Sequence, residues 1–181
     1  MSKRIYLASS WRNPYQPAAV LMLRDWGHEV YDFRSPFFGL RNGFSWAELD
    51  PDWQTWQPAD YRDHLLHHPT AALGFQSDFR AMQWADTCVL LMPCGRSAHL
   101  ELGWCAGAGK HTIVHIPEAC EPELMNLLAN DITTSEAELR HALSGRPAGQ
   151  RNESHLTDVQ RSVRNGTFGV KSQPETSSDH G

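Results

Sequence analysis

Thr87-Cys88-Val89-Leu90-Leu91-Met92-Pro93-Cys94-Gly95-Arg96-Ser97-Ala98-His99-Leu100-Glu101-Leu102-Gly103 is the stretch on which the fold of this chain turns. Its first part, Thr87 to Met92, is almost wholly apolar and reads as a strand buried on both faces, the pattern of a parallel sheet. Pro93 stops the strand, Gly95 turns the chain, and a helix begins near Ser97. That order puts Glu101 one turn inside the helix, above the carboxyl end of the sheet, where open α/β proteins bind small molecules.

Working outward, the same alternation recurs on both sides. Residues 69–85 read as a helix, with Ala71, Ala72, Phe75, Phe79, Met82 and Ala85 recurring at three and four and sharing one face. At the start, residues 3–8 (Lys-Arg-Ile-Tyr-Leu-Ala) read as a strand, Ser9 to Pro14 as a polar turn, and residues 18–26 as a helix stopped by Gly27. Residues 28–33 form the next strand, and strand, helix and strand within about 30 residues make a βαβ unit. Beyond the central helix, which runs from about Ser97 to Ala108, residues 111–116 read as a strand and 121–129 as a short helix. Ser135 with Glu138 three residues later makes a capping box for a last helix through Leu143. At least four strands alternating with helices predict an α/β fold, a Rossmann-like parallel sheet sandwiched by helices in a single domain spanning 1–143.

Two segments break the alternation. Residues 34–60 scatter five Pro and Gly among Phe37, Phe38, Phe44, Trp46, Trp53 and Trp56, which is either a folded-back satellite core or a lid over a pocket. Residues 144–181 are dominated by Gly, Ser, Asn, Gln, Arg and Pro and carry one aromatic, Phe168, so they read as a disordered polar tail, or as a segment that docks Val159, Val163 and Phe168 on a partner subunit.

A chain of 181 residues that is 40% hydrophobic and 10% aromatic holds one ordinary core. Its formal net charge of −5 excludes a general attraction to nucleic acid polymers or anionic membranes and leaves metabolites as the natural partners. No apolar run approaches the roughly 20 residues of a membrane helix. Met-Ser-Lys-Arg leads straight into a strand without a secretory hydrophobic region, so the expected location is the cytoplasm. The four cysteines, Cys88, Cys94, Cys105 and Cys120, form no CxxC pair and read as reduced small hydrophobes. His64, His67, His68, His99, His111 and His115 show neither HExxH spacing nor a partner Cys pair, so they read as structural, and no metal or other cofactor is expected.

Two carboxylates stand out. Asp78 falls on the apolar arc of the helix over 69–85, beside Phe75 and Met82, and a buried carboxylate costs several kcal/mol unless it is paired or used. An edge position, reaching water, is the bland alternative. Glu101 shares a helix face with Ser97, Ala98, Trp104, Cys105 and Ala108, while His99 points the other way. Read alone, Glu101 is equally a first-turn glutamate stabilised by the helix dipole.

Ile5-Tyr6-Leu7-Ala8-Ser9-Ser10-Trp11, Asp78 on the helix before the central strand, Ala85-Asp86 ahead of that strand, and the small-x-x-Glu-Leu-Gly ending from Ser97 to Gly103 together resemble the nucleoside 2-deoxyribosyltransferase and nucleotide N-glycosidase superfamily. The resemblance covers about residues 3–130. It implies an enzyme that cleaves or transfers the N-glycosidic bond of a nucleoside or nucleoside 5'-monophosphate. By resemblance, Glu101 is the nucleophile that forms a covalent glycosyl-enzyme, Asp78 helps protonate the leaving base, and Tyr6 is the strand-one tyrosine beside the nucleophile. It also implies a homo-oligomer. The chemistry is coherent, because an oxocarbenium-like transition state calls for one carboxylate to trap C1' and a second acid for the leaving group.

The chain departs from that family where further acidic residues commonly precede the glutamate, since Pro93, Cys94, Gly95 and Arg96 stand there. Arg96 and Ser97 at a helix start, with Ser9, Ser10 and Arg12 after the first strand, instead suggest capture of a 5'-phosphate. The competing reading is that these serines only cap helices. Trp11, Trp46, Trp53 or Trp56 would stack on the base, whereas Trp26 and Trp84 read as core. Two rival functions stay open: an NAD glycohydrolase, and a nucleotide sensor without turnover in which Glu101 only contacts ribose hydroxyls.

Overall fold

Five parallel strands, β1 (Arg4–Ala8), β2 (Glu29–Tyr31), β3 (Thr87–Leu91), β4 (His111–His115) and β5 (Asp131–Thr133), lie in the order β2-β1-β3-β4-β5 in the computed structural model, which describes residues 1–38 and 43–145. The helices are α1 (Gln16–Asp25), α2 (Pro58–His67), α3 (Pro69–Trp84), α4 (Arg96–Gly107) and α5 (Glu136–Gly145). This is the α/β arrangement expected from the alternation. The expected tail over 144–181 falls, beyond Gly145, outside the described residues.

The period of two along each strand builds two cores. Tyr6, Ala8, Cys88, Leu90 and Val114 face α3 and α4, where they meet Ala81, Met82, Ala98, Leu102 and Cys105. Ile5, Leu7, Val89, Leu91 and Ile113 face the opposite way, against Ala19, Val20 and Leu23 of α1 and Leu139 and Leu143 of α5. Gly27, with φ of +86°, stops α1 as expected.

The structure corrects the sequence reading in several places. The fifth strand, β5, is three residues long and too short to stand out as a pattern. The helix expected over 121–129 is a 3₁₀ segment, Leu124–Leu128, in which Asn126 is the buried residue; with no apolar face to dock, an α-helix has nothing to anchor it. The capping box at α5 is displaced by one residue, because Glu138 accepts from the Thr134 N–H (2.7 Å) while the Glu138 N–H donates to Ser135 Oγ (3.3 Å). The loop 34–60 ends earlier, since α2 begins at Pro58.

The largest correction concerns α3. Its buried face is Ala71, Gly74, Ser77, Ala81 and Met82, and Phe75 is 64% exposed. Small residues let the loop approach closely: a Cβ on Gly74 would lie 2.7 Å from the ring of Phe44. The displaced Phe75 stacks on Phe79, which is half-buried against the core as expected, with Trp104 of α4 edge-on to Phe79 at 5.1 Å. On α4, likewise, Leu102 joins Ala98 and Cys105 in the core, whereas Trp104 and Ala108 are exposed.

Gly43 pins the returning loop. It has φ of +73°, and a Cβ there would lie 2.6 Å from Trp11 Cζ2 and 2.7 Å from the Phe33 carbonyl oxygen. Gly43→Ala is therefore expected to destabilise the protein by about 1–3 kcal/mol through strain and overlap together. Chemical denaturation checks this, and a variant within about 0.5 kcal/mol of the parent would show that the loop yields freely.

Candidate active site

The strand order reverses between β1 and β3, so the loops leaving their carboxyl ends diverge and open a crevice. Asn13, 1% exposed, fixes the two rims together: its amide donates to Pro93 O (3.0 Å), Leu91 O (3.2 Å) and Ser9 Oγ (3.0 Å). Arg34 braces the first rim from outside, donating to Trp11 O (2.7 Å) with its guanidinium over the Trp11 ring. The result is a cavity of about 920 Å³.

Its wall brings together the candidate catalytic residues and the candidate phosphate-site residues named from the sequence. Tyr6 comes from β1, Ser9, Ser10, Trp11 and Arg12 from the loop after it, Asp78 from α3, and Arg96, Ser97 and Glu101 from α4. Glu101 flanks the packed face of α4, next to buried Ala98 and Leu102. Burial, first, and then the negative charge of Asp78 push its carboxyl from 4.5 up to about 8, against a hydrogen bond from Tyr6 that pulls it down. Burial also raises Asp78, a shift opposed by its contact with Tyr31. Tyr6 is raised well above 10 by burial and then by Glu101 and Asp78, so its phenol keeps its proton and donates.

Glu101, raised by burial and by the charge of Asp78, holds a proton near neutral pH, which ordinary surface carboxylates do not. One acid and one base in a single cavity is the electrostatic pattern of acid–base or nucleophilic chemistry.

The serines do not cap helices. The N-caps of α1 and α4 are Tyr15 and Gly95, neither with a side-chain capping bond. Ser9 Oγ donates to Leu91 O at 3.0 Å, so its proton ties β1 to β3 and is not aimed at a ligand. Ser10 Oγ accepts from the Arg12 N–H at 3.2 Å, and Arg12, Arg96 and Ser97 are exposed at the mouth. Cationic and hydroxyl groups thus gather at one side of the cavity in a chain that is acidic overall.

The aromatic segment divides between the cavity wall and the core, and aromatic faces from it join Trp11 of the loop after β1. Trp11, Phe44, Trp46 and Trp53 line the cavity. Phe37 and Phe38 instead pack against Tyr31 and Trp84. Trp56 stays out of the wall, stacked on His64 at 4.3 Å with its indole N–H donated to Asp50.

Sequence reasoning passes over Tyr31, Ser77 and Phe33, which also line the cavity. Tyr31 is fully buried and stacks on Tyr6 at 5.4 Å because β1 and β2 pair in parallel with Tyr6 opposite Tyr31. Its hydroxyl lies 2.9 Å from Asp78 Oδ1 and 3.0 Å from Ser77 Oγ. The available signal for Ser77 was its place one turn from Gly74 and Ala81, on the small-residue face of α3.

Among the described residues no group of three or more His, Cys, Asp or Glu is placed to hold a metal ion, and no helix is long and apolar enough to cross a membrane.

No family model matches the chain, and no curated protein matches it. Among solved structures, a 2-deoxyribosyltransferase from the psychrotolerant bacterium Bacillus psychrosaccharolyticus is similar over 75% of this chain and 89% of its own, with 19% identity and a TM-score of 0.51. A CMP N-glycosidase, BcmB, from Clostridium botulinum aligns over 78% of this chain and 99% of its own, with 19% identity and a TM-score of 0.42. The first likeness shows a shared fold.

Proposed function

We propose that this chain cleaves or transfers the N-glycosidic bond of a nucleoside or nucleoside 5'-monophosphate. The observation that carries the reading is two buried carboxyls, Glu101 and Asp78, both raised by burial, in one cavity at the switch point of the sheet. The sequence resemblance and the fold shared with a 2-deoxyribosyltransferase support it.

In this reading an ionised Glu101 carboxylate attacks C1' of the sugar as the bond from C1' to the base nitrogen breaks. The electron pair of that bond leaves with the base, and Asp78 gives the base nitrogen a proton. The glycosyl ester on Glu101 is then opened by water or by a second base, whose proton returns to Asp78. Tyr6 holds Glu101 by its donated hydrogen bond and stabilises the charge before attack and after release. Trp11, Trp46 and Trp53 offer faces for the base, and Arg12, Arg96, Ser10 and Ser97 offer donors for a 5'-phosphate at the start of α4.

The test is to incubate the protein with nucleosides, deoxynucleosides, their 5'-monophosphates and NAD, and to identify products by mass spectrometry. Free base, or a base exchanged between sugars, is the expected product, with monophosphates consumed faster than the parent nucleosides. Nicotinamide released from NAD alone would replace this reading with an NAD glycohydrolase. Tight binding without turnover across the panel would make the protein a sensor.

A further inference from the structure

Gly74 of α3 and Phe44 of the aromatic segment both line the cavity, and they lie against each other. A Cβ on Gly74 would lie 2.7 Å from Phe44 Cδ2, 3.1 Å from its Cγ and 3.2 Å from its Cβ. The approach reaches down to the root of the side chain, so turning the ring would relieve only part of the overlap. Phe44 is half-buried, seated on the helix at Gly74 while it forms part of the cavity wall.

Gly74 stands one helical turn before Asp78 on α3, and residues so spaced are neighbours on a helix surface. The Phe44 ring therefore lies close to the carboxyl that, in the glycosidic reading, protonates the leaving base. Its neighbours leave it no retreat. Trp46 meets Phe44 edge-on at 4.8 Å, and the preceding Gly43 is pinned, since a Cβ there would lie 2.6 Å from Trp11 Cζ2 and 2.7 Å from the Phe33 carbonyl oxygen. A ring pushed off α3 moves into the open space of the cavity. That space, about 920 Å³ with Trp11, Phe33, Trp46 and Trp53 also in its wall, is near the top of the roughly 300–1,000 Å³ of ligand pockets. An aromatic lining of this extent rewards the wider of the two base types, because a bicyclic purine buries more flat apolar area than a pyrimidine.

We propose that Gly74, by letting Phe44 sit back on α3, keeps the base end of the cavity wide enough for a purine and so sets which base this protein accepts. The substrate class is then a purine nucleoside or its 5'-monophosphate. Phe44 is the ring that meets the base, and Gly74 is a positioning residue that acts through it. A side chain at position 74 drives Phe44 forward and narrows the space, and one methylene more or less in an apolar pocket is worth about 10–200-fold in discrimination. The proposal rests on the glycosidic reading above for the identity of the flat ring, but base size is measurable as binding, without turnover.

The experiment is calorimetric titration of the full chain with adenosine 5'-monophosphate and with cytidine 5'-monophosphate, in a Glu101→Gln background so that neither is consumed. The adenosine nucleotide is expected to bind at least about tenfold tighter, and Gly74→Ala to cut that ratio by about tenfold or more through loss of the adenosine nucleotide alone. Phe44→Leu weakens both nucleotides, and Gly74→Ala added to Phe44→Leu leaves the ratio where Phe44→Leu put it, because no ring remains to be displaced. If Gly74 matters only for holding the loop, Gly74→Ala weakens both nucleotides alike; that result, or equal binding of the two nucleotides before any change at position 74, would sink the proposal. Should Gly74→Ala fail to fold, Phe44→Trp enlarges the ring in place and must lower the same ratio, and a ratio that does not move overturns the role of this contact. The two readings fail separately. A protein with the expected binding ratio that releases no base when Glu101 is restored counts against the glycosidic reading alone, whereas one that releases cytosine as fast as adenine counts against Gly74 alone.

Discussion

Glu101→Gln is expected to reduce base release by at least about 10³-fold, equivalent to about 4 kcal/mol of barrier, while making the folded protein harder to melt. The loss follows because an amide neither attacks C1' nor leaves as a carboxylate when the glycosyl ester opens. The gain follows from linkage. Burial raises the Glu101 carboxyl from 4.5 to about 8, so its native-state contribution is fully present below about 4.5 and is lost as pH rises through about 8. Glutamine copies the neutral acid in shape and carries no such loss. The melting temperature of the variant should therefore exceed that of the parent by a margin that grows between pH 5 and pH 8, reaching about 5 °C or more on the alkaline side. Thermal melts at three pH values and a product assay check both halves. Full activity in Glu101→Gln would remove Glu101 as nucleophile, and a melting difference that does not grow with pH would mean that the native carboxyl is not raised.

Asp78→Asn carries the second large effect, a fall in base release of about 10²–10⁴-fold for a base that must leave protonated. The defect should shrink for a nucleoside analogue whose leaving group departs as a stable anion, since such a group needs no acid. It should also erase a pH limb. Burial holds the Asp78 carboxyl above its usual range, and once it ionises the leaving-group acid is lost, so the unmodified protein should lose activity on the alkaline side of its pH profile. At low pH activity falls as both carboxyls become protonated and the nucleophile is silenced. An asparagine has no proton to lose, so the alkaline limb should vanish in Asp78→Asn. If it persists, another group supplies the leaving-group proton.

Much of the fold can be read directly from the chain, and the reasons are local. The run from Thr87 to Met92 is apolar on both faces and so must lie inside a sheet, and Gly27 closes α1 because its positive φ suits glycine. The wrong face on α3 has an equally specific cause. Periodicity ranks residues by hydrophobicity, and Phe75 outranks Ser77, yet the helix was packed by closeness of approach: Phe44 needs Gly74, and the Phe38 carbonyl and Tyr31 need Ser77. Asp78 was found from that imperfect face because it sits at its margin, between buried Ser77 and the half-buried Phe79. Ser9 illustrates the limit on polar residues. Its place after β1 suggests a ligand donor, while its bond to Leu91 O shows a tie between strands.

The sequence alone establishes that Glu101 stands one turn into a helix that follows a buried strand, because strand burial, chain reversal and helix start are written within seventeen consecutive residues, Thr87 to Gly103. The meeting of Glu101 with Asp78, and of Asp78 with Tyr31 and Ser77, comes from three dimensions. Tyr31 reaches Asp78 across 47 positions of chain because the parallel register sets it beside Tyr6. A carboxyl becomes unusual through the burial and charges around it, and those belong to the packed fold, not to any stretch of chain.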